Sequence, residues 1–147
     1  MNWFFELLDN KILWMSVLSW FTAQVIKTFL VLVRQKRFDA RRLIGAGGMP
    51  SSHTAIVVTL MLNVGRECGF NSPYFAICTT LALIVMYDAT GVRRAAGEQA
   101  KVINKIVVLM NNKEERIDYG KTLKELLGHK PIEVICGAIL GILIGLI

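Results

Sequence analysis

The chain has 147 residues, of which 54% are hydrophobic and only 19% charged, with a formal net charge of +6. Soluble domains average roughly 25% charged residues, and disordered chains need low hydrophobicity, so neither class fits this composition. The length suits one domain spanning residues 1–147. Its cysteines, Cys68, Cys78 and Cys136, form no CxxC pair and read as small buried hydrophobes rather than as a disulfide or metal framework.

The first stretch, Asn2 to Asn10, holds Trp3, Phe4 and Phe5 beside Glu6 and Asp9. It lacks the basic start and small-residue cleavage site of a signal peptide. Aromatic rings favour the headgroup level, so this stretch reads as an interfacial segment.

Apolar runs follow. Ile12 to Ile26 is uncharged, and beyond Lys27 the run continues to Val33. Leu43 to Gly65 holds His53 as its sole ionisable residue, Gly69 to Tyr87 is uncharged, and so is Val134 to Ile147. About 20 apolar residues cross a hydrocarbon core of about 30 Å. The reading is an all-α, integral-membrane bundle of about four helices, the last starting near Pro131.

Charge is concentrated between these runs. Arg34 to Arg42 carries five basic residues against Asp39, and Arg93 to Lys130 carries nine against five acids. Threading four helices puts both segments on one face, which the positive-inside rule makes cytoplasmic. Basic residues beside spans favour anionic lipid headgroups over nucleic acid as partners.

Four elements carry chemistry. Lys27 and Arg34 lie seven apart, on one face of the first helix, and a cation inside a span points to function unless it snorkels to the interface. Gly45-Ala-Gly-Gly-Met-Pro-Ser-Ser-His53 places Pro50, Ser51 and Ser52 where a helix N-terminus offers amides to an anion. Asp88-Ala-Thr-Gly-Val-Arg93-Arg94 follows the third run, where Asp88 either pairs with an arginine or ends the span. His129 stands just ahead of Pro131, and Glu133, four residues on, can meet it and fix its tautomer. His53 and His129 are the only histidines. Two imidazoles, a carboxylate and several cations on one membrane face suit phosphoryl transfer.

These residues resemble the type 2 phosphatidic acid phosphatase superfamily, in its small divergent bacterial and plant branch, a superfamily that also includes the vanadium haloperoxidases. Its pattern is Lys-x6-Arg-Pro, Pro-Ser-Gly-His and Ser-Arg-x5-His-x3-Asp. Lys27-x6-Arg34, Pro50-Ser51-Ser52-His53 and His129-x3-Glu133 follow it in order. Gln35 replaces the first proline, Ser52 the glycine and Glu133 the aspartate, while Leu123 stands where the arginine of the Ser-Arg pair would be. A second arginine would come from Arg93 or Arg94.

The resemblance implies an acid phosphatase/haloperoxidase-like site with neither cofactor nor metal. His129 would be the nucleophile, Glu133 its orienting partner and His53 the acid, while Lys27, Arg34, Ser51, Ser52 and Arg93 would hold the phosphoryl oxygens. The substrate would be a phosphorylated membrane lipid: phosphatidylglycerophosphate, phosphatidic acid, or a polyprenyl phosphate or diphosphate. The bacterial plasma membrane is the expected location, and a homodimer would shield the polar site of so small a bundle. The alternative is a non-catalytic phosphate-lipid binder or transporter, which needs the cations but not both histidines. A Mg²⁺ requirement, through Asp88 and Glu98, stays open.

Overall fold

The structure, a computed structural model, describes residues 2–35, 48–111, 123 and 128–147, except for the side chains of residues 34, 35, 110 and 111. Every regular element among them is a helix: α1 (Trp3–Leu8), α2 (Lys11–Gln35), α3 (Ser52–Cys68), α4 (Pro73–Thr90), α5 (Val92–Asn111) and α6 (Pro131–Gly145).

Local chemistry sets the boundaries. Asn10 Oδ1 accepts from the Leu13 amide at 2.9 Å and starts α2. The Ser51 hydroxyl accepts from the Thr54 amide at 3.3 Å and starts α3. Pro50 therefore precedes the cap, and α3 begins well inside the apolar run that opens at Leu43. Ser72 and Pro73 start α4 in the same manner, and Pro131 occupies the first turn of α6.

α3 is the central helix, packed against α2, α4 and α6. Its seam with α6 is made by Gly137, Gly141 and Gly145. A Cβ on Gly137 would lie 2.5 Å from the Ser51 carbonyl oxygen, and one on Gly141 would lie 2.7 Å from that of Ala55. Small residues four apart let backbones approach closely, as in helix pairs built for lipid. Thr59 Oγ1 donates to the Gly141 carbonyl (2.9 Å) and Arg66 to that of Gly145 (2.6 Å). Residues 51, 55 and 62 of α3 thus meet residues 137, 141 and 145 of α6 in rising order, so the two helices run parallel.

The packing is the reverse of a water-soluble bundle. The buried face of α2 is Ser16, Ser19, Ala23, Gln24 and Lys27, while Trp14, Leu18, Phe21, Val25 and Phe29 face outward. On α4 only Ala82 and Ala89 are buried, and Ile77, Leu81, Leu83 and Ile84 are exposed. Two helical stretches are long and apolar enough to cross a membrane, Lys11–Val33 and Pro73–Leu109, the second running through α4 and α5. α6 is apolar but shorter. Sequence reading places no helix between Arg93 and Lys130, where α5 stands. The aromatic residues near the N-terminus form α1, whose residues are all exposed.

Candidate active site

The C-terminal part of α2, the start of α3, the end of α4 and the start of α6 lie at one end of the bundle. Their side chains meet around two imidazoles. The His53 and His129 ring centroids are 6.4 Å apart, with the planes inclined at 61°.

His129 is held on three sides. Its amide donates to the Ala89 carbonyl at the end of α4 (2.8 Å). Its Nδ1 lies 2.9 Å from Glu133 Oε2 across the first turn of α6. Its ring is buried, at 4% exposure. The preceding residue, Gly128, has φ +83°, and a Cβ there would come within 2.4 Å of the Arg94 backbone nitrogen. Glycine alone fits that seat without strain. The same Glu133 oxygen accepts from the Lys130 amide at 3.3 Å, so the carboxylate caps its own helix while it holds the histidine. A carboxylate on Nδ1 fixes the proton there and turns Nε2 outward as the basic nitrogen.

His53, in the first turn of α3, is exposed at the mouth of the site. The charged and titratable groups that act on it are Arg93, His129, Lys27 and Asp88. Lys27 is buried to 2% exposure, with its methylene stem alongside Gly48. It does not snorkel to the surface. Arg93 forms an ion pair through Nε with Asp88 Oδ2, and both are partly exposed. Arg94 lies on the side of α5 that faces Glu98. Of the two arginines, Arg93 is therefore the one beside the histidines.

Ser51 and Ser52 are buried. The Ser51 hydroxyl accepts from Thr54 Oγ1 (3.0 Å) as well as from its amide, and the Ser51 amide donates to the Glu133 carbonyl (2.9 Å). Ser51 thus ties the start of α3 to the start of α6. Arg34 lies in the last turn of α2, and its side chain falls outside the described residues. So does the Gly45–Gly47 part of the glycine-rich motif.

The structure brings together Lys27, Ser51, Ser52, His53, Asp88, Arg93, His129 and Glu133. Sequence reasoning missed the Ala89 carbonyl and Gly128, which seat the buried histidine. A glycine directly before the histidine was the visible signal for the second. Among the described residues, no three His, Cys, Asp or Glu side chains gather as metal ligands do. Beyond the Glu133 carboxylate on His129, the charged groups that act on His53 are Lys27 and the Arg93–Asp88 pair, and the first turn of α3 adds free amides, an arrangement that suits an anion.

The profile of the divergent PAP2 family matches residues 8–144. The chain belongs to this family. It is also 44% identical over 151 residues to the uncharacterized membrane protein YuiD of Bacillus subtilis (strain 168), covering 97% of this chain and 96% of that relative. No solved structure matches the chain. Within this divergent PAP2 protein, the matched region takes in each motif residue from Lys27 to Glu133.

Proposed function

We propose that this divergent PAP2 protein is an integral-membrane phosphatase that cleaves a lipid phosphate monoester through a phosphohistidine on His129. The observation that carries the reading is the pair of buried His129 and half-buried Glu133, 2.9 Å across, with His53 at 6.4 Å between ring centroids.

In this mechanism the Nε2 lone pair of His129 attacks phosphorus, and the P–O ester bond breaks. The leaving alkoxide takes a proton from His53. His53 then removes a proton from water, water attacks the phosphohistidine, and inorganic phosphate leaves with His129 restored. Lys27 and Arg93 offset the charge on the phosphoryl oxygens, and the Ser52 and His53 amides open the first turn of α3 toward them. Arg34 would add to this set from the end of α2. These cations supply the positive charge that the reaction as drawn uses.

The bilayer reading rests on the outward apolar faces of α2 and α4 and on the glycine seam. α3 and α6, with 17 and 15 residues, complete a four-helix membrane core. The two basic segments start in sequence at Arg34 and Arg93, at the site end of α2 and α5, and by the positive-inside rule the site would face the cytoplasm. Phosphatidylglycerophosphate, phosphatidic acid and polyprenyl phosphates would all reach it without leaving the membrane.

The test is phosphate release from these lipids by purified protein in a chelator, together with acid-labile ³²P trapped on the enzyme. Release that survives His129→Ala would overturn the mechanism. Lipid binding retained by that variant, with no release by the native chain, would make the protein a binder instead.

A further inference from the structure

α5 has three distinct sides. One is covered by the chain itself. Gly97 and Ala100 are buried, Asn104 exchanges two hydrogen bonds of 3.0 Å with the Leu123 backbone, and Gly128 sits against the backbone of Arg93 and Arg94. A second side carries Arg94, Glu98, Lys101 and Lys105, with Lys101 bonded to Glu98 at 2.9 Å. The third carries Val92, Val102, Ile103, Ile106 and Leu109, all exposed. α4 is the described helix that packs on α5 most extensively, and it leaves this third side open.

Crossing the bilayer is a poor use of such a helix. Its 20 residues include five charges, Arg93, Arg94, Glu98, Lys101 and Lys105. The apolar part of the Pro73–Leu109 stretch is α4, whose one charge is Asp88. Eighteen residues of α4 span about 27 Å, close to the hydrocarbon thickness by themselves. An apolar stripe beside a basic face, with modest overall hydrophobicity, marks a helix that lies in the membrane surface. The charged side sets three cations against one carboxylate, which complements anionic headgroups.

We infer that α5 is an in-plane interfacial helix docked on an anionic lipid surface. Its Val92–Ile103–Ile106 side enters the headgroup–acyl boundary, and Arg94, Lys101 and Lys105 meet lipid phosphates. Arg93 begins this helix and stands beside His53, so α5 sets the depth of the site mouth at the plane of the headgroups. The inference rests on the membrane reading above and not on the chemistry proposed there.

The test uses the full chain with Cys68, Cys78 and Cys136 replaced by serine, in alamethicin-permeabilised vesicles of phosphatidylglycerol and phosphatidylcholine. Single cysteines are placed at Glu98, Val102, Ile103, Lys105 and Ile106. Glu98 and four of the apolar and basic positions are surface side chains, so packing is preserved, and helicity and Tm are checked for each variant. Glu98→Cys and Lys105→Cys should react with a charged maleimide about tenfold faster than V102C, I103C and I106C. Fluorophores at the slow positions should be quenched by bromines near the headgroup end of the acyl chain and not by bromines at its tip. Uniformly slow labelling would make α5 a span, and uniformly fast labelling would leave it in water. Either overturns the inference, as does protection that vanishes on dilution into excess lipid, which would identify a second copy as the occupant. Phosphate release measured on the unsubstituted protein fails or succeeds independently of this pattern.

Discussion

Nδ1 of His129 and Oε2 of Glu133 are 2.9 Å apart, and that single carboxylate oxygen also receives the Lys130 amide. The orientation of the imidazole is therefore tied to the first turn of α6. Removing the charge while keeping the shape separates orientation from folding. Glu133→Gln should leave Tm nearly unchanged and lower kcat by about 10²-fold or more, because the imidazole loses the anion that fixes its tautomer. Glu133→Asp should recover part of the loss. Steady-state phosphate release on lipid substrate measures both.

His53 stands at the exposed side of the pair, where a leaving group would depart. His53→Ala should cost about 10²–10⁴-fold in rate with an alkyl phosphate. The loss should be much smaller with an aryl phosphate whose leaving group needs no proton. Equal losses on the two substrates would remove His53 from the acid role.

Lys27 is enclosed, and its stem runs along Gly48. Lys27→Met keeps the stem and deletes the charge. Vanadate and phosphate should inhibit at least about tenfold more weakly, since a desolvated cation beside an anion is worth more than 1.4 kcal/mol. Inhibition curves for the two anions measure the change.

The α3–α6 seam predicts a graded series. Gly141→Ala brings a methyl group within 2.7 Å of the Ala55 carbonyl oxygen and should cost about 1–3 kcal/mol. Gly145→Ala meets the Leu62 side chain at 3.2 Å and the Thr59 Cα at 3.6 Å, both looser contacts, and should be milder. Gly137→Ala presses on Ser51, so activity should fall further than Tm does. Thermal unfolding in detergent, set against activity, orders the three.

Gly128→Ala combines a positive φ with a clash against the Arg94 backbone. It should destabilise by about 1–3 kcal/mol and displace His129. Activity lost at temperatures where the variant remains folded would identify Gly128 as a positioning residue.

Much of the site could be read from spacing. Lys27 and Arg34 share α2, Pro131 opens α6, and His129 meets Glu133 because four residues make one turn. Asp88 pairs with Arg93 a short way along the chain. The features that escaped depend on contacts distant in sequence. Nothing local to Ala89 announces that its carbonyl receives the His129 amide. α5 is hard to read for a different reason: its five charges give it the look of a basic connecting segment and mask the helical recurrence of Val92, Ile103 and Ile106. The start of α3 is legible to within two residues from Pro50, Ser51 and Ser52, and the capping hydroxyl of Ser51 sets the first helical residue at Ser52. The glycines of α6 were visible at intervals of four, but which neighbour they admit is a matter of packing.

Arg66 grips the last carbonyl of α6 at the end of the bundle opposite the imidazoles. α6 is about 22 Å long, so this clasp fixes the axial position of Glu133 from the far side of the molecule. Because α3 and α6 run side by side, sliding one along the other would shift His53 relative to Glu133, the carboxylate that holds His129. The spacing of the two imidazoles is thus a property of the whole seam, set as firmly by a guanidinium at the opposite pole as by anything the substrate touches.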